Sequence, residues 1–173
     1  ERVGEPVLIP RQPLVALALA QIQTRLGRVE ANLETHLAAI DRARRKGADL
    51  VVFPELSLTG YMLQDIADDV ALTPSGAEPV FRRLLRASRS LDLVVGFVER
   101  DLRKRNFISA AYLSAGEIVH IHRKVYLPTY GLFQDGRFFA AGDELRAFDT
   151  RFGRLGLLIC EDFWHVSAPY LLW

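Results

Sequence analysis

Cysteine, lysine and long apolar runs are all scarce in this sequence, and each scarcity narrows what the chain can do. A single cysteine, Cys160, in 173 residues excludes an internal disulfide and fits a reducing, cytoplasmic setting. No apolar stretch reaches the roughly 18–20 residues of a membrane span, so no membrane partner is expected. Arg11 followed by the apolar residues 14–20 has the outline of a secretory leader. Pro10 and Pro13 precede the run and Gln21-Ile22-Gln23 prolongs it, which is the pattern of a strand. Charge of one sign is also lacking. The 22 Lys and Arg against 21 Asp and Glu leave +1, with no basic stripe that would bind nucleic acid. The tightest basic cluster, Arg42, Arg44, Arg45 and Lys46, falls at the end of a predicted helix, where cations complement the helix dipole. There is no P-loop, no dinucleotide fingerprint and no Gly-x-Ser-x-Gly elbow. His36, His120, His122 and His165 lack metal-ligand spacing. His120 and His122 alternate on one strand without a third ligand and read as ordinary strand or surface residues. No metal and no organic cofactor are expected.

The hydrophobic pattern lays out alternating elements. Residues 14–22 form an apolar run of strand length, as a strand buried on both faces does. Val29, Leu33, Leu37, Ile40 and Ala43 follow helical spacing, with Gly47 as the stop. Residues 48–53 are a second buried strand ending at Pro54-Glu55. Residues 56–76 are loop-rich, residues 78–91 a second helix, and residues 93–98 a third strand. Residues 108–113 and 118–122 read as a hairpin around Ser114-Ala-Gly-Glu117, and Lys124 follows its second arm. Residues 125–143 form a long aromatic and glycine-rich loop, a length that is usually functional. Residues 148–151 and 155–160 suggest a further hairpin, placing Cys160 at the end of an apolar strand. The order predicts one domain over residues 1–173, in a layered α/β or α+β fold. Ligands in open sheets sit at the carboxyl ends of strands, which is where Glu55, Lys124 and Cys160 all fall.

Each of these three residues has a plain reading beside the chemical one. A lone cysteine after an apolar strand is commonly an inert buried hydrophobe. Cys160-Glu-Asp-Phe163 ends its strand abruptly, however, and a strand-end thiol can meet backbone N–H groups that lower its pKa and bind an oxyanion. Glu55 is either a loop acid in water or a carboxylate that needs a partner. Lys124 is one of three lysines beside 19 arginines. It is either an edge-strand charge that discourages aggregation or a position needing a compact ammonium.

Three segments then resemble one family together. Phe53-Pro-Glu-Leu-Ser-Leu-Thr-Gly-Tyr61, His122-Arg-Lys-Val-Tyr-Leu-Pro-Thr-Tyr130 and Leu157-Leu-Ile-Cys-Glu-Asp-Phe-Trp164 are similar, in order, to the glutamate, lysine and cysteine motifs of the nitrilase superfamily. The resemblance implies an α-β-β-α sandwich, of which this chain would be the N-terminal part, that assembles as a homodimer or larger oligomer. It implies hydrolysis of a small non-peptide amide through a thioester. Cys160 would be the nucleophile, Glu55 the base, and Lys124 with the Glu161 backbone N–H the oxyanion partners. Tyr61, Tyr130, Phe133, Asp135, Glu161 and Trp164 would bind substrate or support the site. Many members carry a second glutamate where this chain has the shorter Asp135. Pro128-Thr-Tyr-Gly-Leu-Phe133 and Cys160-Glu-Asp-Phe-Trp-His165 are similar to the glutaminase domain of glutamine-dependent NAD synthetases, which implies a fused or partner synthetase domain. A catalytically silent scaffold of the same fold is the alternative outside the enzymes.

Overall fold

The computed structural model describes residues 14–173. Five strands form one sheet in the order β1 (Leu17–Leu19), β2 (Leu50–Val52), β3 (Asp92–Arg100), β4 (Asn106–Ser114) and β5 (Glu117–Arg123). β1, β2 and β3 run parallel, while β4 pairs antiparallel to both β3 and β5. β5 therefore points the same way as β1–β3, and the chain leaves β2, β3 and β5 at one rim.

Alternation along β3 sorts its side chains into two cores. Leu93, Val95 and Phe97 face helices α1 (Val29–Arg45) and α2 (Pro79–Ala87), together with Leu33, Ile40, Phe81 and Leu84. Val94 and Val98 face the opposite side, with Leu56, Tyr112, Phe148 and Ile159. That second side is covered by the short hairpin β6 (Phe148–Thr150) and β7 (Gly153–Leu155) and by the segment running on to Cys160. Arg151 secures the hairpin, contacting Asp92 Oδ1 at 3.2 Å and donating to the Asp49 carbonyl at 2.8 Å.

Local signals explain the helices. α1 has Glu30 in its first turn, three arginines in its last, and Gly47 at a positive φ of 74° just beyond. α2 begins with Pro79 and is capped by the Glu78 carboxylate, which accepts from Val80 N–H.

Several expected boundaries shift. The first strand pairs only over Leu17–Leu19, and the second helix ends at Ala87, four residues early. Within the 125–143 loop lies one helical turn, α3 (Asp135–Phe138). The apolar segment 156–159 joins no ladder among the described residues but packs across the sheet face, and Cys160 opens a 3₁₀ turn, Cys160–Trp164, that precedes α4 (Ser167–Leu172). Apolar composition drove that strand expectation, and packing on a sheet face satisfies it equally well. Among the described residues no helix is long and apolar enough to cross a membrane.

Candidate active site

Pro54 lacks an N–H and ends the β2 ladder, and the chain turns sharply through Glu55 and Leu56, the latter at a φ of 52°. The turn presses directly on β3. A Cβ on Gly96 would lie 2.5 Å from the Pro54 carbonyl oxygen and 2.6 Å from Leu56 N, so only glycine admits this approach. Lys124 follows β5, with its N–H donating to Ile108 O at 2.8 Å and its carbonyl accepting from Gly142 N–H at 2.8 Å. A side chain at Gly142 would collide with the Arg123 carbonyl at 2.3 Å, so this glycine seats the loop against Lys124.

The Lys124 side chain is fully buried. Its ammonium lies 2.7 Å from Glu55 Oε1 and 2.9 Å from Asp135 Oδ2. A buried ammonium without partners would shed its proton. Burial does pull the Lys124 pKa down, but Glu55 and Asp135 outweigh it and hold the group above the usual lysine value. Burial pushes Glu55 the other way, above the usual glutamate range. Lys124 opposes that shift, and the nearby Asp135 charge reinforces it. A carboxylate raised in this way is better suited to accept and return a proton than a free glutamate. Asp135 Oδ1 also accepts from Tyr61 O–H at 3.0 Å, and the shorter acid reaches the lysine because α3 begins at this residue.

Cys160 has a φ of 46° and follows the extended Ile159, so the backbone reverses at the thiol. Its Sγ faces the Glu55 carboxylate and the Glu161 backbone N–H. Partial burial and the Glu55 charge hold the thiol above its ordinary pKa, against the pull of Lys124. Burial thus raises both members of the pair. Phe53, Glu55, Gly96, Ala110, Leu157 and Cys160 line a cavity of about 150 Å³.

Sequence reasoning missed Asp162 and His122. Asp162 is fully buried and accepts four hydrogen bonds: from His122 Nε2 at 2.8 Å, Ile159 N–H at 3.0 Å, Val125 N–H at 3.0 Å and Tyr126 N–H at 2.9 Å. One carboxylate ties the residue before Cys160 to the two residues after Lys124. Burial alone would raise the Asp162 pKa, but the His122 and backbone donors lower it below the usual aspartate range. The available signals were the period-two spacing of His122, on β5, and Lys124, just after it, and an acid two residues beyond the cysteine.

The remaining candidates divide. Tyr130 O–H donates to Glu161 Oε2 at 2.8 Å, and Phe133 meets Tyr61 and Tyr130 edge-on, with centroids 6.3 and 5.8 Å apart. These aromatics rim the site. Trp164 does not join them, since 79% of it is exposed. Among the described residues no group of three or more His, Cys, Asp or Glu is arranged to hold a metal ion.

Known proteins show the same arrangement of helices and sheet. The glutamine-dependent NAD(+) synthetase of Thermotoga maritima is 34% identical over 155 residues, spanning 88% of this chain and 26% of that protein. The structure of the glutamine-dependent NAD+ synthetase from Acinetobacter baumannii superposes with a TM-score of 0.77 at 29% identity, covering 90% of this chain and 29% of that one. The Nesterenkonia AN1 amidase of the nitrilase superfamily gives a TM-score of 0.79 at 26% identity, covering 95% of this chain and 63% of the amidase. In a structure of that amidase with a glutamate replaced by leucine, the acetamide moiety of fluoroacetamide is covalently added at the active site cysteine. This chain thus spans less than a third of the synthetases and under two thirds of the amidase. Its mixed sheet is nitrilase-like, and the carbon-nitrogen hydrolase family pattern matches residues 16–172. By fold and by sequence, this chain belongs to the carbon-nitrogen hydrolase family.

Proposed function

We propose that the chain carries the hydrolytic site of a cysteine amidase acting on a small linear amide, and that the side-chain amide of glutamine is its preferred substrate. The observation that carries this reading is the Lys124 ammonium held between Glu55 and Asp135, with the Cys160 thiol facing Glu55.

Cys160 Sγ attacks the amide carbon as Glu55 takes the thiol proton. An ammonium has three N–H donors, and the two carboxylates engage two of them. The third, with the Glu161 N–H, receives the oxyanion. The tetrahedral intermediate collapses with cleavage of the C–N bond, and Glu55 returns its proton to the departing ammonia. Glu55 then deprotonates a water that attacks the thioester. The C–S bond breaks, the sulfur regains the proton from Glu55, and the acid leaves. Asp135 holds Lys124 in place and is not consumed.

The glutamine preference is supported by the synthetase relatives, which are glutamine-dependent. It implies a synthetase domain, fused or separate, that receives the ammonia. Ammonia release from glutamine and from short aliphatic amides, measured beside Cys160→Ala, tests both levels. Release that the substitution abolishes supports the amidase. Equal rates on all amides remove the glutamine preference, and no release from any amide favours a silent scaffold.

A further inference from the structure

The turn that presents Glu55 rests on a buried polar side chain that the reaction above does not use. His36 lies on the sheet-facing side of α1 and is fully buried. Its Nδ1 is 2.7 Å from the Asn32 carbonyl oxygen, one turn back along the helix, and its Nε2 is 2.9 Å from Ser57 Oγ. A carbonyl oxygen only accepts, so Nδ1 bears the proton. Nε2 is then the acceptor, and the Ser57 hydroxyl donates to it. The ring also packs on Phe53, tilted by 31° with centroids 4.2 Å apart. One imidazole therefore touches the residue two before Glu55 and the residue two after it.

Neighbouring contacts complete the bracket. Asn32 Nδ2 donates to the Leu58 carbonyl at 2.9 Å and to the Arg25 carbonyl at 2.8 Å. On the opposite side, Leu58 N–H donates to the Gly96 carbonyl at 2.9 Å, and Gly96 itself leaves no room for the turn to sink. The Glu55 turn is thus held between α1 and β3. The other inward residues of α1 are mostly apolar, including Leu33, Ala39, Ile40 and Ala43. A leucine at position 36 would fill comparable space without orienting Ser57.

We infer that His36 is a positioning residue for the general base: through Phe53 and Ser57 it fixes the backbone on both sides of Glu55 and so sets the reach of that carboxylate to Lys124 and Cys160. The inference rests on the reading of Glu55 as the base. Its reach is 2.7 Å to the Lys124 ammonium. Misplacement of a reacting group by about 1 Å costs on the order of 100-fold in rate.

Cys160 is the only cysteine of this sequence, and its alkylation by iodoacetamide, read on the peptide that carries it, reports the Glu55–Cys160 pair without any amide turnover. The alkylation rate would be followed against pH in the wild type, His36→Leu, His36→Gln and Ser57→Ala, with ammonia release and melting temperature in parallel. His36→Leu and Ser57→Ala should slow alkylation about 10-fold and move its acid limb. His36→Gln, whose side-chain carbonyl can accept from Ser57, should recover most of the loss. Ser57→Ala removes one oxygen from the pair and guards against a His36 variant that fails to fold. Wild-type alkylation profiles in every folded variant, with only the melting temperature lowered, would show that His36 merely packs. If the wild type releases no ammonia while the alkylation profiles shift as expected, the amidase reading fails and the positioning role stands. Normal release with unmoved profiles would overturn the positioning role and leave the amidase reading intact.

Discussion

Lys124 and Asp135 sit behind protein, whereas Cys160 and Glu161 open a turn whose Phe163 and Trp164 are largely exposed. The first region joins the end of β5 to the α3 turn, with Gly96 and Gly142 letting backbone approach backbone. The second is a single 3₁₀ turn tied to the first chiefly through Asp162. Ionised groups out of water need fixed partners, because an ammonium that shifted away from its carboxylates would lose the charge that makes it useful. A nucleophile, the role proposed for Cys160, must instead meet an incoming carbonyl. The division therefore follows the chemistry: the charges are enclosed and the sulfur is presented.

The sharpest way to break this contrast is Lys124→Met. It leaves Glu55 and Asp135 facing each other without a cation. Removing the proposed oxyanion donor should lower kcat on the order of 10²–10³-fold. Breaking a buried charge network should cost about 3–5 kcal/mol of stability, readable by urea unfolding. The comparison also predicts that Asp135→Asn is milder, since Lys124 keeps Glu55, and steady-state kinetics would rank the two.

Asp162→Ala probes the tie between the regions. It orphans three backbone N–H donors and His122 Nε2, so about 1–3 kcal/mol of stability should be lost for each donor that water cannot reach. Because the tie joins the nucleophile turn to the lysine segment, kcat should fall more than KM rises. A stability loss with unchanged kcat would mean that the two regions hold their registration without it.

Much of this was legible in the sequence. The 3.6-residue spacing from Val29 to Ala43 and the unbroken apolar run before Pro54 report backbone periodicity, and both elements formed. Glu55 and Lys124 meet, as their place at the carboxyl ends of strands led one to expect, and the shorter Asp135 joins them. The bonds that place the site were not legible. Asp162 meets His122 across 40 residues, and His36 meets Ser57 across 21. Neither pairing leaves a periodic trace, and each histidine read alone is ordinary. The segment 156–159 misled for a related reason: apolar composition records that a stretch is buried, not whether it pairs with a strand or lies across a sheet.

Further predicted effects follow pH. The folded-state pKa of Glu55 is raised by burial, so as pH falls through it the base protonates and kcat/KM declines, with an acid limb above the usual glutamate range. The folded state then binds more protons than the unfolded chain, so this residue's contribution to stability grows as pH drops. His36 runs the other way. Burial lowers its pKa from 6.5 to about 4, so the unfolded chain takes up the proton first. Its contribution is fully present above pH 6.5 and falls progressively to about pH 4, a loss of about 3 kcal/mol at 1.36 kcal/mol per unit. Unfolding titrations of the wild type and His36→Gln between pH 4 and 7 would isolate that contribution.

The measurement that bears most directly on the central claim is the intact mass of the protein quenched during turnover of glutamine. The account predicts an adduct of substrate mass less ammonia, mapped to the peptide carrying Cys160 and absent from Cys160→Ala. Ammonia release that persists undiminished in Cys160→Ala, with no adduct on the wild type, would contradict it.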